Sequence, residues 1–145
     1  MRMTPGLNTI LDTDSYKASQ YLQYPPGTTW MQSHLVARSG KDTHVVNFGL
    51  QAILHGFECP DREDEKVAGD LFTRHGLPFN YDGWNRIADL GYLPIKIKAL
   101  PEGTRVPLGV PLFTIESTDP ATFWIVGWLE TRLVRLWHPI NVATL

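Results

Sequence analysis

The chain has 145 residues, 43% hydrophobic and 19% charged, which supports one packed domain and excludes wholesale disorder. A formal charge of −2 excludes the basic excess that duplex binding normally needs. The single cysteine, Cys59, excludes an internal disulfide framework and points to a reducing compartment.

Residues 1–11 lack the uninterrupted apolar core of a secretory signal. Asp14 stands ready to cap a short helix over residues 14–22, which Tyr24-Pro25-Pro26-Gly27 terminates. Residues 28–38, rich in Thr, Trp, Val and Leu, read as a strand. A turn at Ser39-Gly40-Lys41-Asp42 leads to a second extended piece over residues 44–48. Helical spacing then appears, with Leu50, Ile53, Leu54 and Phe57 on one face. Residues 60–75 open with Asp61, Glu63, Asp64 and Glu65, which suit the positive end of a helix. A further helix over residues 82–90 puts Trp84 and Ile87 on one side. In residues 93–100, Ile95, Ile97 and Ala99 alternate with Lys96 and Lys98, the pattern of a strand with one wet face. Residues 106–116 form another strand region, broken by Pro107, Gly109 and Pro111.

The last segment is apolar on nearly every face. Thr118-Asp119-Pro120 supplies a cap and an N-terminal proline, and Phe123, Trp124, Ile125, Val126, Trp128, Leu129, Leu133, Val134, Leu136 and Trp137 follow. A small domain has difficulty surrounding such a helix, so it is expected to pack on residues outside this chain or on another subunit. Its longest apolar run, residues 123–129, is too short to span a bilayer. The chain reads as a soluble cytoplasmic α+β domain: a small mixed or antiparallel sheet, flanked by helices, ending in a long apolar helix.

Local chemistry is sparse. Neither a dinucleotide fingerprint nor a P-loop occurs. His34, His44, His55, His75 and His138 are widely spaced, which favours structural or surface roles over a metal site. Lys96 and Lys98 beside Arg105 form a cationic patch, more simply read as a solvated strand face.

The strongest signal is the order of short motifs. Thr13-Asp14-Ser15-Tyr16-Lys17 is followed by Gln23-Tyr24-Pro25-Pro26-Gly27-Thr28 and Phe48-Gly49-Leu50-Gln51. Then come Gly83-Trp84, the run Leu93-Pro94-Ile95-Lys96-Ile97-Lys98-Ala99-Leu100-Pro101-Glu102-Gly103, and Pro111-Leu112-Phe113-Thr114-Ile115-Glu116. Trp128-Leu129-Glu130-Thr131 and Trp137-His138-Pro139-Ile140-Asn141-Val142-Ala143-Thr144 close the series. Taken together they resemble the N-terminal domain of the nicotinamide phosphoribosyltransferases and, more distantly, of the nicotinate phosphoribosyltransferases, across residues 10–144.

The resemblance implies a parent reaction in which nicotinamide and phosphoribosyl pyrophosphate give nicotinamide mononucleotide and pyrophosphate, in NAD salvage. It implies homodimers whose sites are completed by an α/β barrel, absent from residues 1–145, against which the helix after about residue 118 packs. It also implies Mg²⁺ and, in some members, ATP, none of it bound by this chain. By resemblance, three residues belong to a site shared across subunits. Tyr16 stacks on the pyridine ring, Asp14 accepts a hydrogen bond from the carboxamide, and Arg38 reaches the neighbouring subunit's phosphate region. From the residues alone, Asp14 is equally a helix cap, Tyr16 a helix-surface aromatic and Arg38 a strand-end charge. The surroundings of Arg38 (Ser33-His34-Leu35-Val36-Ala37) depart from the family's aromatic and acidic pattern, and the 39–43 loop is shorter than in many relatives.

The expectation is therefore a catalytically silent piece, from a divided or frame-shifted gene or made deliberately as a shortened chain, that self-associates or joins a complementary barrel-bearing chain. The rival expectations are a non-catalytic module of such an assembly and a small-ligand binding protein.

Overall fold

A computed structural model of the chain describes residues 8–145; most of the 1–11 segment read above against a secretory signal lies outside them. Five strands and five α-helices alternate with two 3-10 segments. A 3-10 helix, Ser15–Leu22, precedes β1 (Gln32–Val36), β2 (His44–Val46), α1 (Leu50–Leu54), α2 (Arg62–Arg74) and α3 (Tyr81–Leu90). Strands β3 (Ile95–Ala99), β4 (Arg105–Pro107) and β5 (Pro111–Ser117) follow, then a 3-10 turn at Pro120–Thr122, α4 (Ile125–Val134) and α5 (Trp137–Thr144). The fold is α+β, and its sheets are wholly antiparallel: three strands in the order β1-β5-β3 and a separate pair β2-β4.

Strand β5 is central because its side chains are the most apolar: Leu112, Phe113 and Ile115 are buried. Partners flank it on both edges, with Ser33 opposite Ile115 on β1 and Ile97 opposite Ile115 on β3. On the wet face, Lys96 stands opposite Glu116 and pairs with it at 3.1 Å, so this lysine serves a cross-strand ion pair. The acidic run lies at the start of α2 as read, and the structure adds a capping box: Asp61 accepts from the backbone N–H of Glu63 and Asp64, and Asp64 accepts from the Asp61 N–H.

The structure corrects three expectations. Asp14 occupies the N-cap position of the first helix but makes no capping hydrogen bond; its Oδ2 accepts from Thr131 instead. The C-terminal apolar segment is divided into the Pro120–Thr122 turn, α4 and α5. And α4 is enclosed by this chain's own residues: Ile125, Val126, Trp128, Leu129 and Leu133 are all buried. A tryptophan triangle accomplishes this, with Trp84 of α3 lying edge-on to Trp124 at 5.0 Å and to Trp128 at 5.1 Å. Phe72 of α2 closes on Trp128 at 5.8 Å. Three indoles at these spacings bury enough apolar surface to wrap a helix within a small domain. Within this C-terminal segment the exposed large apolar side chains are Val134, Trp137, Val142 and Leu145.

Candidate functional site

The chain's N-terminal segment is laced to α4. Trp128 Nε1 donates to the Ile10 carbonyl at 3.2 Å, and Thr13 Oγ1 donates to the Trp128 carbonyl at 3.0 Å. About one helical turn further, Thr131 Oγ1 donates to Asp14 Oδ2 at 2.7 Å. Lys17 is 2% exposed and its ammonium donates to the Gly127 carbonyl and to Glu130 Oε2, each at 2.7 Å. A buried ammonium needs such partners, since desolvation without them is costly. Beneath this row Asp12, also buried, meets Arg135 at 2.6 Å and Arg132 at 3.4 Å. The Arg132 guanidinium lies 4.8 Å over the Phe57 ring.

These contacts decide how Asp14 and Tyr16 are presented. They share one short turn, pinned at Asp14 on one end and at Lys17 on the other, with Tyr16 between the pins and 56% exposed. An anchored turn holding up a bare aromatic face suits stacking on a flat ring. The Lys17 ammonium lies 6.0 Å from the Tyr16 ring centroid.

Arg38 lies apart from this turn. It lines a cleft of about 500 Å³ between β1 and α4, whose walls include His34, Leu35, Phe113, Ile115, Glu130 and Leu133. Asp14 and Tyr16 are not among its lining residues. Arg38 is exposed and has no hydrogen-bond or ion-pair partner among the described residues. Glu130 connects the two places, since it lines the Arg38 cleft while holding Lys17. Nearby, burial pushes the Tyr24 hydroxyl above its usual range and the Glu130 carboxylate adds to the effect. The structure thus unites two of the three candidate residues and sets the third across α4's Glu130.

Lys17, Glu130 and Thr131 sit inside motifs legible in the sequence, yet no chemistry followed from them there. Their pairings span 113 and 117 residues, and no local pattern reports such a distance. Among the described residues no group of three or more His, Cys, Asp or Glu side chains is placed to hold a metal ion, and no helix is long and apolar enough to cross a membrane.

Comparison with solved structures places this arrangement in a known fold. The human nicotinic acid phosphoribosyltransferase superposes with a TM-score of 0.68 at 24% identity, over 91% of this chain and 26% of that one; the likeness is one of fold. Sequence carries the assignment further. Residues 8–97 match the family model described as nicotinamide phosphoribosyltransferase, N-terminal domain, and the chain belongs to that family. It is 47% identical over 144 residues to the nicotinamide phosphoribosyltransferase of Xanthomonas campestris pv. campestris (strain 8004), covering 94% of this chain and 30% of that protein. Against the nicotinamide phosphoribosyltransferase of Acinetobacter baylyi it is 32% identical over 164 residues, covering 99% of this chain and 32% of that protein. The chain thus spans about a third of the length of the curated relatives it matches.

Proposed function

We propose that this chain is the N-terminal portion of an enzyme that transfers the phosphoribosyl group to nicotinamide, and that it contributes one side of a site completed by a barrel-bearing chain. The observation that carries the reading is the anchored turn: an exposed Tyr16 ring two residues from an Asp14 carboxylate fixed through one oxygen. In this reading Tyr16 stacks on the pyridine, Asp14 accepts from the carboxamide N–H, and Arg38 meets a phosphate oxygen of the sugar pyrophosphate. Displacement at the anomeric carbon further needs cations around the leaving pyrophosphate. In this reading Mg²⁺, and ATP where family members use it, belong to the rest of the assembly, as the family resemblance implies. The exposed Trp137 and Val142 of α5 supply a surface for self-association or for the complementary chain. Action in the cytoplasm belongs to the same reading and fits a chain whose single cysteine, Cys59, is unpaired.

Two measurements test this. The isolated chain, given nicotinamide, phosphoribosyl pyrophosphate and Mg²⁺, is expected to form no mononucleotide; turnover would show that its site is complete. Joined in frame to the part of the Xanthomonas campestris relative lying beyond the matched residues, it is expected to be active. In that fusion Tyr16→Ala raises the KM for nicotinamide roughly two- to tenfold, the scale of one aromatic stacking contact. An inactive fusion, or a Tyr16→Ala variant with unchanged KM, would overturn the proposal.

A further inference from the structure

An exposed aspartate ordinarily samples several rotamers, and a carboxylate that moves is a poor receptor for one N–H. Asp14 is exposed, yet its Oδ2 is held at 2.7 Å by the Thr131 hydroxyl, while Oδ1 has no hydrogen-bond partner among the described residues. The bond is charge-assisted and correspondingly strong. The donor is also well chosen. Thr131 is a β-branched residue inside α4, whose χ1 freedom the helix restricts, and its neighbours Leu129, Arg132 and Leu133 are buried. Thr13, whose hydroxyl lies 3.5 Å from that of Thr131, already gives its proton to the Trp128 carbonyl at 3.0 Å. It therefore does not compete for the Asp14 carboxylate. On the other side of Tyr16, the Lys17 bonds to Gly127 and Glu130 fix the same turn to the same helix.

We infer that Thr131 is a positioning residue for the pyridine-side half of the site: by occupying Oδ2 it fixes the Asp14 carboxylate and leaves Oδ1 to receive a carboxamide N–H. The inference rests on the proposed function and adds to it a residue that touches no substrate.

The test uses the active fusion described above, carrying the full chain. Thr131→Val keeps the shape and removes the donor. It should raise the KM for nicotinamide roughly fivefold, the scale of one ordinary hydrogen bond whose acceptor is no longer held in place. The kcat and the KM for phosphoribosyl pyrophosphate should stay near their original values, and Thr131→Ser should restore nicotinamide binding. Because Thr131 acts through Asp14, adding Thr131→Val to Asp14→Ala should change nothing further. An unchanged KM in Thr131→Val, an additive double variant, or a Thr131→Ser variant as impaired as Thr131→Val would overturn the inference while leaving the proposed function standing. If Asp14→Ala itself leaves the nicotinamide KM unchanged, the proposed role of Asp14 fails first.

Discussion

Glu102 illustrates how much one side chain settles at the scale of a residue. Its carboxylate accepts from the backbone N–H of Gln51 at 3.0 Å and of Gly49 at 3.1 Å, capping α1 from a turn far along the chain. Those backbone bonds, Gln51's first, hold the Glu102 carboxyl below its ordinary range. The Arg86 guanidinium, bound to Asp119 at 2.8 and 2.5 Å, does the same for the Asp119 carboxyl. A carboxyl with a depressed folded-state pKa stabilises the fold above its unfolded value, about 4. That stabilisation disappears as pH falls through the folded value. Glu102→Gln should therefore cost about 1 kcal/mol at pH 7, the usual worth of a helix cap. In urea titrations the gap from the original protein should narrow below about pH 4; a gap of constant size would show that the charge is irrelevant. Glu65 runs the other way. Burial raises its pKa, against the opposing pull of Arg62, so its contribution is largest in acid and is lost as pH rises through the folded value.

At the scale of the element, the sequence was most informative where local chemistry decides the outcome. The acidic start of α2, the alternation in β3 and the Gly83-Trp84 helix all follow from spacing and composition. It was least informative where a distant partner decides: Asp14 reads as a cap because its residue type favours caps, but Thr131 captures it. The apolar C-terminal run reads as a single outward-packing helix because three tryptophans scattered over residues 84–128 meet only in three dimensions. Gly83 marks that meeting place. A Cβ there would lie 2.6 Å from Asn80 Nδ2 and 2.7 Å from Trp124 Cζ2. Alanine favours a helix interior by roughly 1 kcal/mol over glycine, whereas overpacking a core costs about 1–3 kcal/mol. With a buried indole unable to withdraw, the second effect wins. Gly83→Ala should lower the urea midpoint, with the loss traceable to Trp fluorescence; a stabilised variant would show that the indole gives way.

For the molecule as a whole, α4 is enclosed while α5 keeps exposed apolar side chains. Trp137 and Val142 are both exposed on α5, which makes this helix a candidate contact surface. Self-association is expected to depend on it: Trp137→Gln combined with Val142→Gln should shift sedimentation at micromolar concentration toward monomer. Association that persists unchanged would assign it to another face. The site was legible only in part for the same topological reason. Its residue types stand within recognisable motifs, whereas the grouping of Asp14, Lys17, Glu130 and Thr131 is created by docking the two ends of the sequence together.

That docking also sets a timetable. Lys17 waits on a carbonyl 110 residues away, Asp14 on a hydroxyl 117 away, and the Ile10 carbonyl on an indole 118 away. During vectorial synthesis the first turn leaves the ribosome early and has nothing to settle against until α4 emerges. Contacts this distant in sequence close slowly, so the turn that carries Asp14 and Lys17 is fixed only after α4, translated later, has been made.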